Sequence, residues 1–294
     1  HNENDVYFLK VQFEIKFSHI RFRTVIGDIR DPSLLKSTFS RYKPQVVFHA
    51  AAHKHVPLME ENPVAAVKNN VLGTRNLIAA SNHYLVERFV LISTDKAVNP
   101  SSVMGMSKRI AEMMLQARAQ KSRTKFMAVR FGNVLGSAGS VVPLFKRQIE
   151  EGGPITVTHP DVQRYFMSVG EAASLVLQAA ALGHGGEIFV LDMGQPIKIV
   201  DLAKNLVAFS GLKLGKDISL EFIGLRQGEK LAEDFLLGAE TGHVTKHEKI
   251  YITKPGDFRH LKMRSHLLEL NKLVRTMAED KIVSKMKEII SDGS

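Results

Sequence analysis

The chain has 294 residues, 44% of them hydrophobic and 24% charged, a globular balance that excludes wholesale disorder. It has no cysteine, which excludes disulfide scaffolds, thiolate metal sites and cysteine nucleophiles together. The net charge of +10 points to anionic partners, yet the basic residues are scattered and there is no Trp for base stacking, so nucleic acid is not the expected partner.

No run approaches the roughly 20 apolar residues that span a bilayer. The opening His1-Asn2-Glu3-Asn4-Asp5 is too polar for a signal peptide. The expectation is a soluble, cytoplasmic protein. In chain order, residues 20–26 alternate apolar and polar side chains and predict a strand running into Gly27-Asp28. Residues 34–42 predict a short helix. Residues 46–52 form an apolar run, the pattern of a strand buried on both faces. A helix over 62–82 starts at Asn62-Pro63, with proline in its first turn. Strand, helix and strand follow over 88–93, 104–120 and 126–131. Beyond about 140 the alternation loosens. A helix near 141–151 ends at Gly152-Gly153-Pro154, short elements continue to about 255, and 262–292 is amphipathic and helical. Alternating strands and helices predict a parallel sheet with helices on both faces. The expected division is a nucleotide-binding α/β domain over 1–150 and a smaller mixed α/β substrate domain with C-terminal helices over 151–294.

In open α/β sheets, ligands sit beyond the carboxyl ends of the strands. The residues there are Asp28-Ile29, Ala50-Ala51-Ala52-His53-Lys54, Ser93-Thr94-Asp95-Lys96 and Gly132-Asn133, all small, apolar or polar enough to line a cofactor cleft. The densest chemistry is Ser93-Thr94-Asp95-Lys96 followed by Met104-x-x-x-Lys108. A hydroxyl, an acid and a lysine stand at one strand end, and Met104 and Lys108 share a helical face. Alone, a lysine at helical spacing marks a solvated face and a methionine marks core. Joined to the strand-end residues, they mark a site.

At these residues the chain resembles the extended short-chain dehydrogenase/reductase family. Thr94 and Lys108 match its Ser/Thr and Tyr-x-x-x-Lys pattern, and Met104 stands where its tyrosine normally stands. The combination resembles the nucleotide-sugar 4,6-dehydratases of polysaccharide biosynthesis. Further motifs agree, among them His53-Lys54-His55-Val56-Pro57, Asn69-Asn70-Val71-Leu72-Gly73-Thr74, Arg130-Phe131-Gly132-Asn133 and Gly224-Leu225-Arg226-Gln227-Gly228-Glu229-Lys230. The resemblance runs to about residue 255. It implies an α/β Rossmann-like doubly wound parallel sheet, truncated at its start, with the smaller substrate domain after it.

The implied reaction is dehydration of a UDP-N-acetylhexosamine, chiefly UDP-N-acetylglucosamine, to its 4-keto-6-deoxy sugar, with NAD rather than NADP as cofactor. A 4-epimerase of the same family and a non-catalytic nucleotide-binding protein are the alternatives. The resemblance implies that Thr94 bonds the C4 oxygen, that Asp95 is the acid at the C6 hydroxyl, and that Lys96 is the base at C5, its pKa lowered beside Lys108. Lys108 would hold the nicotinamide ribose. Met104 cannot exchange a proton, so the C4 hydroxyl proton leaves through Asp95, Lys96 or water. Asp28, Ile29, Ala50, Ala51, Ala52, Asn70, Ser93 and Phe131 are the implied cofactor contacts. Lys54, Asn133, Ser140, Arg164, Arg226 and Glu229 are the implied substrate contacts, the arginines suiting a pyrophosphate by their fork geometry. A homo-oligomer is implied as well. His49, His53 and His55 crowd together without nearby carboxylates, so no metal site is expected.

A Gly-x-Gly-x-x-Gly loop after a first strand is missing from this chain. Aligned by motif, residue 1 falls just after the family's second strand. The expectation is a piece of a longer protein, or a chain that departs from the family at its start; longer relatives in the family carry membrane helices upstream, which allows a membrane-anchored parent.

Overall fold

The computed structural model describes residues 2–234, 243–253 and 260–292. Its strands are β1 (Val46–His49), β2 (Arg88–Ile92), β3 (Lys125–Arg130), β4 (Asn133–Val134), β5 (Ile155–Val157) and β6 (Gln163–Arg164). They continue with β7 (Phe166–Met167), β8 (Ile188–Leu191), β9 (Ile197–Lys198), β10 (Leu220–Phe222), β11 (His243–Val244) and β12 (Ile250–Thr253). The helices are α1 (Glu3–Lys16), α2 (Pro32–Tyr42), α3 (Val56–Glu61), α4 (Pro63–Ala66), a π-helical segment at Val67–Gly73, α5 (Thr74–His83) and α6 (Val103–Ala119). After them come α7 (Val141–Glu150), α8 (Val169–Leu182), α9 (Ile199–Phe209), α10 (His260–Arg275) and α11 (Glu279–Ser291).

Six strands form the main sheet in the order β1-β2-β3-β8-β12-β11. β1, β2, β3 and β8 run parallel, and β12 pairs antiparallel to β8. Successive residues of a strand face opposite sides, and the two main cores divide accordingly. Phe89, Leu91, Phe126, Ala128 and Ile188 enter one core with α6, α10 and α11. Val90, Met127, Val129, Phe189 and Leu191 enter the other beneath α8. This is the doubly wound parallel sheet that the alternation predicts. A third core gathers Phe145, Ile155, Val157, Ile199, Val207 and Ile218 around β5, α7 and α9.

Three expectations change. Residues 20–26 form no strand, because a strand exists through its ladder and none of the described strands pairs with them. The helix expected over 62–82 is present without a break over 63–83, but its middle, Val67–Gly73, is π-helical, with Asn69 and Asn70 buried there. α1 appears where no helix was expected. Its apolar residues are not gathered on one face and none is buried, although Phe13 stacks on Phe22 at 4.1 Å. Among the described residues no helix is long and apolar enough to cross a membrane.

α6 is buried from Val103 to Ala117, with the sheet on one side and α10 and α11 on the other. Glu60 Oε1 accepts from Val103 N at 2.6 Å, and Ser102 Oγ accepts from Gly105 N at 3.0 Å, which satisfies amides of the first turn. A Cβ on Gly105 would run into the Lys96 carbonyl oxygen. Gly105→Ala is therefore expected to lower unfolding free energy by about 1–3 kcal/mol, measured by urea denaturation, since backbone rather than a flexible side chain must move.

Candidate active site

The parallel strands β1, β2 and β3 deliver their carboxyl ends to one mouth, where a cavity of about 500 Å³ opens. That size suits a nucleotide sugar. Its lining includes Ala50, Ala52, Ser93, Thr94, Lys96, Met104, Lys108 and Phe131, together with Lys54, Asn133, Ser140, Arg164, Arg226 and Glu229. All six expected substrate contacts thus meet in one cavity with four of the five expected catalytic positions. The fifth, Asp95, is fully buried next to it. Ala51, Asn70, Asp28 and Ile29 are not in the lining.

At the end of β2 the chain enters a 3₁₀ turn at Asp95–Ala97, with Thr94 extended before it. Asp95 Oδ1 accepts from the Thr94 hydroxyl at 2.8 Å, from Lys96 N at 2.9 Å and from Lys96 Nζ at 3.0 Å. Its other oxygen, Oδ2, is buried without a hydrogen-bond partner among the described residues. One carboxylate oxygen is thus fixed while the second keeps unused acceptor capacity. Lys96 Nζ also reaches Asn133 Oδ1 at 3.5 Å and Glu233 Oε1 at 3.7 Å. Glu233 is buried, and its carboxyl is raised above the usual range, chiefly by burial, against the opposing pull of Lys96. The sequence offered no signal for Glu233, because an isolated Glu in a loop reads as solvated.

Lys108 projects from buried α6 to donate to the Ile92 carbonyl at 2.5 Å. Burial lowers its pKa to about 8, with Glu112 pulling the other way. A lysine lowered by folding binds fewer protons than in the unfolded chain between about pH 8 and its ordinary 10.5. Across that window the wild type is expected to gain stability relative to Lys108→Met, read as a converging pair of denaturation midpoints.

Ser93 and Asn70 hold structure rather than face the cavity openly. Ser93 Oγ donates to Glu112 Oε1 at 2.6 Å. Asn70 Nδ2 donates to the His53 carbonyl and to Ser107 Oγ, both at 2.9 Å, and Asn70 Oδ1 accepts from His53 N at 2.8 Å. Asn70 therefore ties the loop after β1 to α6 and shapes the wall from behind. Asp28 accepts from Nε and Nη2 of the Arg30 guanidinium, and that contact, opposed by burial, lowers its carboxyl. Ile29 packs against Gly73.

The far wall is set by Gly224 to Lys230. Gly228 has φ +76, and a Cβ there would stand 2.8 Å from Ser102 Cβ, so only glycine lets this loop lie on the start of α6. Ser101 Oγ donates to the Gly228 carbonyl at 3.0 Å and Lys230 Nζ to the Val98 carbonyl at 3.2 Å. Docked this way, the loop presents Glu229, whose Oε1 accepts from Arg164 Nη2 at 3.2 Å and from Thr158 Oγ1 at 3.0 Å. On the opposite rim Lys54 Nζ donates to the Ala138 carbonyl at 2.7 Å.

The three crowded histidines do not form a cluster with acids: His49 is buried against Thr74 Oγ1 at 2.8 Å, and burial, helped by Lys108, lowers its pKa to about 3. Elsewhere His266, Glu288 and Asp292 converge, but Lys262 and Lys285 already pair with the two carboxylates at 2.8 Å each.

A family described as polysaccharide biosynthesis protein matches residues 1–255. The chain is 55% identical over 253 residues to the capsular polysaccharide biosynthesis protein CapD of Staphylococcus aureus, a match covering 85% of this chain and 42% of CapD. The X-ray structure of Pen from Bacillus thuringiensis aligns with a TM-score of 0.78 at 34% identity, over 86% of this chain and 78% of Pen. A UDP-glucose 4-epimerase from Thermus thermophilus, solved with NAD, shares the fold at a TM-score of 0.65 and 22% identity, over 82% of this chain and 77% of that one. The sheet is that of an extended short-chain dehydrogenase/reductase. Within that class the chain belongs to the polysaccharide biosynthesis protein family, in the company of CapD. It spans less than half of CapD's length.

The cavity residues fit the nicotinamide half of a dinucleotide. Lys108 has three N–H donors and spends one on Ile92, which leaves donors for ribose hydroxyls. Ala50, Ala52 and Phe131 give the flat, apolar surface that a ring requires.

Proposed function

We propose that the protein dehydrates a UDP-N-acetylhexosamine, UDP-N-acetylglucosamine foremost, to the 4-keto-6-deoxy sugar, with NAD bound across the ends of β1, β2 and β3. The observation that supports this best is the acid–lysine pair beside a hydroxyl, Thr94-Asp95-Lys96, at a cavity wall where Met104 replaces a proton-transferring tyrosine. A bound nicotinamide cofactor supplies the hydride acceptor for C4 and the donor for C6. Lys108 orients the ribose and adds positive charge beneath the site. Thr94 bonds the C4 oxygen. With the C4 oxygen drawn into a carbonyl, the C5 proton is acidified and Lys96 removes it, and Lys96 returns a proton to C5 when hydride reaches C6. Asp95 protonates the departing C6 hydroxyl, which leaves as water. Met104 contributes an apolar wall and no proton, so the C4 hydroxyl proton leaves through Asp95 or water. Arg164, Arg226, Glu229 and Lys54 hold the UDP and the sugar, as their convergence on one cavity supports.

Epimerisation at C4 needs no acid at C6, and the buried Asp95 favours dehydration over it. Incubating the protein with UDP-N-acetylglucosamine and NAD tests the reading by NMR and mass. A product lighter by one water is expected. A C4 epimer of unchanged mass, or binding without conversion, contradicts it.

A further inference from the structure

We propose that Glu233 is a positioning residue for Lys96, so that the loop carrying Arg226 and Glu229 to the substrate also completes the setting of the lysine beside the reacting carbon. This rests on the reading of Lys96 given above.

Three oxygens surround the Lys96 ammonium: Asp95 Oδ1 accepts from it at 3.0 Å, Asn133 Oδ1 accepts at 3.5 Å, and Glu233 Oε1 stands at ion-pair distance, 3.7 Å. They come from three places in the chain: the lysine's own turn, β4, and the loop after Lys230. Without Glu233, the flexible stem of Lys96 is tied only to its neighbour Asp95 and to Asn133. With it, the ammonium is set between two carboxylates.

Glu233 is 7% exposed. A buried carboxylate is costly unless it is paired, and Glu233 pairs with Lys96. The charged groups acting on Glu233 are Lys96, Asp95, Arg164 and Lys230. Lys96, Arg164 and Lys230 favour its ionised form, while burial and Asp95 oppose it. The backbone around it is fastened to the cavity. Leu231 O accepts from Gln163 N at 2.8 Å and from Arg164 Nη1 at 3.2 Å, and Lys230 holds Val98. A shift of this loop on substrate contact at Arg226 or Glu229 therefore reaches the lysine through Glu233.

The test compares wild type, Glu233→Gln and Glu233→Asp in the pH profiles of kcat and KM with UDP-N-acetylglucosamine. Glu233→Gln is expected to lower kcat about tenfold or more, through misplacement of Lys96, with KM within about twofold of the wild type. Losing a carboxylate beside the ammonium makes its proton easier to remove. The limb of kcat that requires the free base should therefore move to lower pH by about one unit, and Glu233→Asp should return part of that shift. A merely structural glutamate would not move the limb. An unmoved limb, or a change confined to KM, overturns the proposal. A second arm needs no turnover: the Glu233 carboxyl is followed by ¹³C NMR titration in the wild type and in Lys96→Ala. Its midpoint is expected to rise when the ammonium is removed, and an unchanged midpoint overturns the proposal. If the wild type converts no UDP-N-acetylglucosamine while this midpoint rises, the reading of function fails and the coupling of Glu233 to Lys96 stands.

Discussion

Asp95→Asn is expected to lower kcat about 10²–10⁴-fold, the size of a lost general acid, with KM little changed. Asparagine has the same shape and can still accept at Oδ1 from Thr94, Lys96 N and Lys96 Nζ, the three donors now within 3.0 Å. What it cannot do is deliver a proton to the C6 hydroxyl. Asp95 Oδ2 is the atom assigned that task, since it is buried beside the cavity and has no hydrogen-bond partner among the described residues. Steady-state kinetics with UDP-N-acetylglucosamine and NAD check this, with circular dichroism to show that the fold is kept. Undiminished turnover in Asp95→Asn, together with undiminished turnover in Lys96→Ala, removes both residues from the chemistry.

Glu112→Ala is expected to lower stability by about 3–5 kcal/mol, read from urea or thermal denaturation. Glu112 and Arg130 are both fully buried. Arg130 Nε and Nη2 meet the two Glu112 oxygens at 2.8 and 2.7 Å, Arg109 Nη1 adds a contact at 3.2 Å and Ser93 Oγ one at 2.6 Å. The arginines hold the carboxyl below its usual range against the opposing effect of burial. Removing the acid takes a shared carboxylate away from two buried guanidinium groups, and it also releases the Ser93 hydroxyl at the very end of β2, one residue before Thr94. Loss of activity should therefore accompany loss of stability. By contrast, neutralising the exposed pair Lys204–Asp201 on α9 should leave the midpoint unchanged, since solvent screens it.

Much of this arrangement could be read from residues alone, and the limits are physical. β2 and β3 were readable because strands buried on both faces leave short continuous apolar runs; β1 was readable from a similar run, but it lies at the edge of the described sheet with Val46 and Phe48 exposed, so its expected burial on both faces does not hold. α2, α6 and α7 were readable because their apolar positions recur at helical spacing. The strand-end rule then pointed to Ala50, Thr94, Lys96 and Asn133 before any distance was known, and Lys54, Arg164, Arg226 and Glu229 converge on the same cavity. Pairing could not be read. Residues 20–26 have the alternation of a strand but no ladder partner among the described residues, and alternation does not supply one. α1 carries no apolar stripe, so its helicity left no periodic trace. The π-helical segment at Val67–Gly73 looks like ordinary helix in sequence, yet it places Asn70 where it can bind both His53 and Ser107. Buried polar pairs were hidden for the same reason: Arg130 and Glu112, or Lys96 and Glu233, lie on separate elements and only the fold joins them.

The central claim is that hydride leaves C4 and returns to C6 of one sugar while water is lost. The direct measurement uses UDP-N-acetylglucosamine deuterated at C4, with product analysis by NMR. The account predicts a 4-keto-6-deoxy product in which the deuterium has moved to C6 and the C5 position has exchanged with solvent through Lys96. Deuterium retained at C4 in a sugar that has kept its C6 hydroxyl contradicts it.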